Sequence, residues 1–169
     1  MANTFELIAS STVGSSAVSS ISFTSIPSTY TDLCIKLSTR SASSGGPDWI
    51  DIVINGDSAV TYYASKWVYG TGSALSSSGN NYEISLWETN AYTANTFMSA
   101  DIHFVNYANS NQKVYSADTV TENNATAALT SLNAGRWSTT SAITSLSFVP
   151  RSTTFTQYST AYLYGIKNA

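Results

Sequence analysis

At 169 residues and 18.0 kDa, the chain has the length of one domain, 1–169, able to bury about two-thirds of its unfolded surface. Only 10% of its residues are charged, the formal net charge is −3, and the seven basic residues are scattered from Lys36 to Lys167, which excludes the basic patch that grips a nucleic-acid backbone. Ser and Thr supply about three residues in ten, yet hydrophobic residues reach 43% and aromatics 12%, so this is not the composition of a disordered linker.

Tyr, Trp, Val, Ile and Thr suit a pleated, half-buried surface, and the chain spells out strands from its beginning. Thr4–Ser10 alternates Phe5, Leu7 and Ala9. Val18–Ile26 carries Ile21 and Phe23 and is closed by Pro27, which has no N–H for a ladder. Asp32–Arg40 shows the period of two most clearly, with Leu33, Ile35 and Leu37 on the face predicted as core and Lys36, Ser38 and Arg40 on the other. Ile50, Ile52 and Ile54 alternate next and run into Asn55-Gly56-Asp57, the strongest short hairpin signal, from which Val60–Tyr69 is expected to return. Tyr82–Trp87, Phe97–Asn106, Lys113–Glu122, Ala127–Leu132, Ala142–Val149 and Tyr158–Ile166 complete about ten or eleven segments. Ser41–Pro47 and Gly70–Asn81 lack apolar periodicity and are expected to be loops. The predicted fold is all-β, a single β-sandwich of two antiparallel sheets, jelly-roll-like.

No run approaches the ~18 apolar residues of a membrane helix, and Met1–Glu6 has neither the basic region nor the apolar core of a signal peptide. A soluble protein made in a cytoplasm is the expectation, and the glycosylation triplet Asn124-Ala125-Thr126 is accordingly read as chance. Cys34, the lone cysteine, sits in an alternating strand and is expected to be a small buried side chain rather than a reactive thiol.

Groups that carry catalysis are sparse. His103, the only histidine, shares a strand face with Asp101 about 7 Å along the chain, and a hydrolase would need to recruit one of the serines to them. A strand histidine hydrogen-bonded to a neighbour is the expected role. Asp48, Asp51 and Asp57 flank the Ile50–Ile54 strand, while Glu83 and Glu88 flank Trp87. Loop oxygens of this kind can hold calcium, and a glycosidase needs two carboxylates across a cleft, but solvated turn positions are expected here. The chain is read as a non-enzyme without cofactor or metal.

Trp49, Trp67, Trp87 and Trp137, with Tyr69, carry more signal, because the tryptophans fall out of phase with the aliphatic faces of their strands or sit in turns. Exposed rings among hydroxyls would serve as interface anchors or as platforms for sugar rings. The competing reading covers both faces of these strands and makes the rings core.

Phe5–Ser15, Ile21–Leu33, Val120–Thr126 and Gln157–Ile166 together resemble a group of small proteins encoded by tailed bacteriophages of aquatic bacteria. The resemblance implies a virion component with a jelly-roll sandwich and transfers no catalytic residue. A capsid decoration or cement protein is expected, located on the virion after assembly in the host cytoplasm. It would be a homo-oligomer, trimeric by expectation, that contacts the major capsid protein or another virion protein. A receptor-binding tail tip that recognises host glycans is the alternative, and neither nucleic acid nor membrane is an expected partner.

Overall fold

The structure, a computed structural model, describes residues 4–45, 48–80, 83–87, 91–122 and 128–167. In chain order its strands are β1 (Phe5–Thr12), β2 (Ile21–Phe23), β3 (Asp32–Thr39), β4 (Asp48–Ile54), β5 (Tyr63–Gly70), β6 (Leu75–Asn80), β7 (Glu83–Trp87), β8 (Met98–Val105), β9 (Lys113–Glu122), β10 (Ala128–Trp137), β11 (Leu146–Pro150) and β12 (Thr160–Ile166). They form an eight-stranded sheet, β1-β12-β3-β8-β9-β10-β5-β6, and a four-stranded sheet, β2-β11-β4-β7. Every pairing is antiparallel. The chain changes sheet at each step from β1 to β5, and the last strands return to pair with the first, β12 on β1 and β11 on β2. This interleaving makes the sandwich jelly-roll-like.

The core lies between the two sheets. Leu33 and Ile35 are fully buried and Leu37 is 3% exposed, as the alternation of β3 predicts. They meet Ile21, Phe23, Ile50, Ile52, Ile54 and Phe148 from the small sheet. Each such side chain contributes roughly 1.5–3 kcal/mol by leaving water, which offsets the entropy of ordering these hydroxyl-rich strands.

Four expectations are corrected. Asn55 and Gly56 do take positive φ, 53° and 72°, but the strands they join belong to different sheets. The Asn55 side chain explains the corner: Oδ1 accepts from the N–H of Thr144 and Ser145, and Nδ2 donates to Ala142 O. A 3₁₀ turn at Val60–Tyr62 then carries the chain into β5. Within Gly70–Asn81, expected to be a loop, residues Leu75–Asn80 form β6, because the pairing N–H and C=O groups of β5 supply a ladder that needs no apolar alternation. Only Ile21–Phe23 of Val18–Ile26 is strand. The strand expected at Ala127–Leu132, whose first residue lies outside the described residues, is longer: β10 continues to Trp137 through Gly135, over which the Tyr115 ring sits.

Candidate functional site

The face of the eight-stranded sheet turned away from the small sheet has two unlike halves. In β3 and β8 apolar residues point inward, as in Leu33, Ile35, Ile102 and Phe104. Along part of β9, β10 and β5 the polarity is reversed. Thr119, Thr121, Ser131, Asn133 and Ser65 are buried, with Thr119 Oγ1 and Ser131 Oγ 2.6 Å apart. Their neighbours in sequence, Val120, Leu132 and Val68, point out and are 45%, 63% and 42% exposed. Leu75 of β6 extends the patch at 77% exposure. Two shallow grooves of about 430 and 640 Å³ flank Leu132, one reaching Val120 and Leu75, the other lying between Asp118 and Lys66.

Cross-strand register sets the electrostatics of this face. One row runs Tyr162, Lys36, Asp101, Asp118, Leu132, Val68 and Ser77. Lys36 Nζ lies 2.5 Å from Asp101 Oδ2, and that hydrogen bond raises the lysine pKa above its ordinary value. Asp118 sits directly opposite Asp101, an arrangement of like charges that opposes folding. Among the described residues its side chain makes no hydrogen bond or ion pair. Lys66, one row along on β5, is also without an ion pair among the described residues; its side chain runs over Gly79, where a Cβ would stand 2.5 Å from Nζ. The apolar patch is thus bordered by one uncompensated carboxylate and one uncompensated ammonium.

The aromatic residues read as contact candidates lie mostly inside. Trp67 is 7% exposed and Trp137 is 2% exposed, with its Nε1–H donated to Asp57 Oδ2 at 2.9 Å. Trp49 is half-buried, 5.2 Å between ring centroids from Trp67, and Tyr69 is half-buried against the core. The Trp87 side chain falls outside the described residues. Of the two readings left open by the sequence, the covered one holds for Trp67 and Trp137, since β5 turns Trp67, not Val68, inward. The exposed large strand residues that sequence reasoning passed over include Leu132, Val68, Val120, Val114, Phe5 and Leu7. Alternation was their signal, but a period of two does not say which face is inside.

The carboxylates expected in solvated turns are instead structural. Asp48, 2% exposed, accepts from Ser41 Oγ and from the N–H of Trp49 and Ser152. Asp51 pairs with Arg151 at 2.5 Å; burial pushes its pKa up, and the guanidinium works against that shift. Asp57 receives Ala59 N–H as well as Trp137. The Glu83 side chain and Glu88 lie outside the described residues. No group of three His, Cys, Asp or Glu side chains is placed to hold a metal among the described residues.

His103 Nε2 stands 3.8 Å from Asp32 Oδ2, beyond hydrogen-bond length, while Asp101 turns to Lys36. Ser116 is the cross-strand partner of His103, yet no hydrogen bond joins the two. Cys34 is 9% exposed between Tyr164 and His103 in register, and burial raises its thiol pKa. No helix among the described residues is long and apolar enough to cross a membrane. Compared with protein-family models, curated proteins and solved structures, the chain matches none.

Proposed function

We propose that this chain is a structural protein of a bacteriophage particle, a capsid decoration protein that works by covering neighbouring proteins and copies of itself. The observation that carries this reading is the outer face of the eight-stranded sheet, where Val68, Leu75, Val120 and Leu132 are exposed together above buried hydroxyls. Isolated exposed aliphatics are ordinary on a protein surface, whereas a contiguous patch marks a contact. The surroundings suit packing: charged residues are 10% of the chain, and short hydroxyl side chains lose little rotamer entropy when covered. The sequence resemblance to phage proteins supplies the setting. Burial of Trp67 and Trp137 removes two of the ring platforms on which the glycan-receptor alternative rested.

Particles stripped of the protein are expected to lose resistance to heat and osmotic shock while still adsorbing to host cells, and adding purified protein back is expected to restore it. Stripped particles that keep full shell stability but fail to adsorb would overturn the decoration reading in favour of a receptor-binding module.

A further inference from the structure

We infer that the β9-β10-β5-β6 half of the outer sheet face pairs with the same face of a second copy of this chain, Asp118 of each protomer meeting Lys66 of the other across Leu132. The inference deepens the surface reading above and rests on it, but it does not depend on the particle to which the protein belongs.

Three observations specify a second copy as the occupant. Polarity is inverted along part of this half, where Thr119, Ser131 and Asn133 are buried while Val120, Leu132 and Val68 face out. That arrangement makes sense when the outer face is also covered. The patch then carries both charges needed to complement itself. Asp118 is repelled by its cross-strand neighbour Asp101, whose partner is Lys36, and Lys66 has no ion pair among the described residues.

Register places the two charges symmetrically. Asp118 and Leu132 are direct partners, as are Leu132 and Val68, while Lys66 pairs with Ala134 one row away. The midpoint between Asp118 and Lys66 therefore lies over β10, between Leu132 and Ala134. A two-fold axis lying in the interface through that point exchanges the two positions. Both Asp118–Lys66 contacts form at once, with the two Leu132 side chains side by side at the centre.

Size bounds the contact. The four strands β9-β10-β5-β6 at about 4.8 Å spacing and three outward rows at about 6.8 Å give on the order of 400 Å² per protomer. The total of about 800 Å² falls short of the roughly 1,000 Å² of a standard specific interface, so the contact is a weak one whose affinity rests on Leu132 and the Asp118–Lys66 contacts rather than on area. A two-fold contact also replaces the trimer expected from the sequence with an even-numbered assembly.

The test is sedimentation equilibrium of the full chain from about 1 to 200 µM, with circular dichroism confirming that each variant is folded. Wild type is expected to dimerise, and Asp118→Lys or Lys66→Glu alone should weaken the dimer at least about tenfold. Mixing these two variants should restore association, because each mixed dimer then holds two opposite-charge contacts, and the double variant should self-associate like wild type. Leu132→Arg, at the centre, should give monomers at every concentration. A monomeric wild type, dimers indifferent to both reversals, or no rescue on mixing would overturn the pairing. If wild type is monomeric but the reversals reduce binding to stripped particles, the face belongs to the shell contact: the pairing falls while the decoration reading stands.

Discussion

The two halves of the eight-stranded sheet are built from the same ladder but solve opposite problems. In the β1-β12-β3-β8 half, the inner face is apolar and the outer face pairs Lys36 with Asp101, while Phe5 and Leu7 of β1 stand 56% and 55% exposed at its edge. Even the outward Cys34 is 9% exposed there, flanked in register by Tyr164 and His103. Along the β9-β10-β5-β6 half, hydroxyls and an amide are buried, aliphatics face out, and Asp118 and Lys66 are left uncompensated. One half pairs its lysine within the monomer; the other leaves the two charges that the proposed pairing would use.

The largest effect that can break this contrast comes from placing the same charge on each half. Ile35→Asp puts an unpaired carboxylate at a fully buried position, at a cost of several kcal/mol against a total stability of about 5–15 kcal/mol. No soluble, cooperatively unfolding protein is expected from it. Leu132→Asp, at a position 63% exposed, should leave the monomer within about 0.5 kcal/mol of wild type in urea titration. Equal damage at the two sites would show that Leu132 is core and that the halves do not differ.

Backbone approach gives the next largest difference. A Cβ at Gly135 would stand 2.0 Å from the Tyr115 ring, and that ring is itself 4% exposed and cannot swing away. Gly135→Ala is expected to cost about 3 kcal/mol, read as a fall in melting temperature of roughly 6–12 °C for a chain of this size. At Gly70 a Cβ would meet Thr130 Oγ1 at 3.6 Å, ordinary contact, so Gly70→Ala should be neutral or slightly stabilising.

How much of this was legible follows the same division. The alternation of Leu33, Ile35 and Leu37 identified both a strand and its buried side, since only one of the faces of β3 is aliphatic. In β10 the alternating residues are Leu132 against Ser131 and Asn133, and the apolar one is the exposed one. Sequence pattern assigns a face by assuming that water lies on the polar side, and the exposed Leu132 above buried Ser131 and Asn133 violates the assumption. For the tryptophans the sequence left both readings open: Trp67 and Trp137 are core, while Trp49, out of phase with the isoleucines of β4, is half-buried. β6 was invisible because Leu75-Ser76-Ser77-Ser78-Gly79-Asn80 becomes a strand only through its ladder with β5.

A smaller effect tests whether the buried hydroxyls of the second half are a matched pair. Thr119→Val leaves the buried Ser131 hydroxyl without the oxygen 2.6 Å away and should cost about 1–3 kcal/mol. Adding Ser131→Ala should recover about 1 kcal/mol of that loss, because removing both partners leaves nothing unsatisfied. A double variant as destabilised as the sum of the two singles would mean that the hydroxyls act independently.

The finest distinction between the halves is one of access, and thiol chemistry reads it. Cys34 faces outward in the first half but is 9% exposed, and burial holds its pKa above the usual thiol value, so little thiolate is present near pH 8. Native protein should therefore react with iodoacetamide far more slowly than unfolded protein. In a Cys34→Ser background, a cysteine placed by Val120→Cys has a position that is 45% exposed in the monomer and should react at close to the rate of a free thiol in dilute solution. Raising the protein concentration separates the two sites further. Cys34 in the wild-type chain lies outside the proposed contact and should keep its rate, whereas the thiol at position 120 should become protected as dimers form. Protection of position 120 at high concentration, abolished by Asp118→Lys, would tie the loss of access to self-pairing rather than to a slow rearrangement of the sheet.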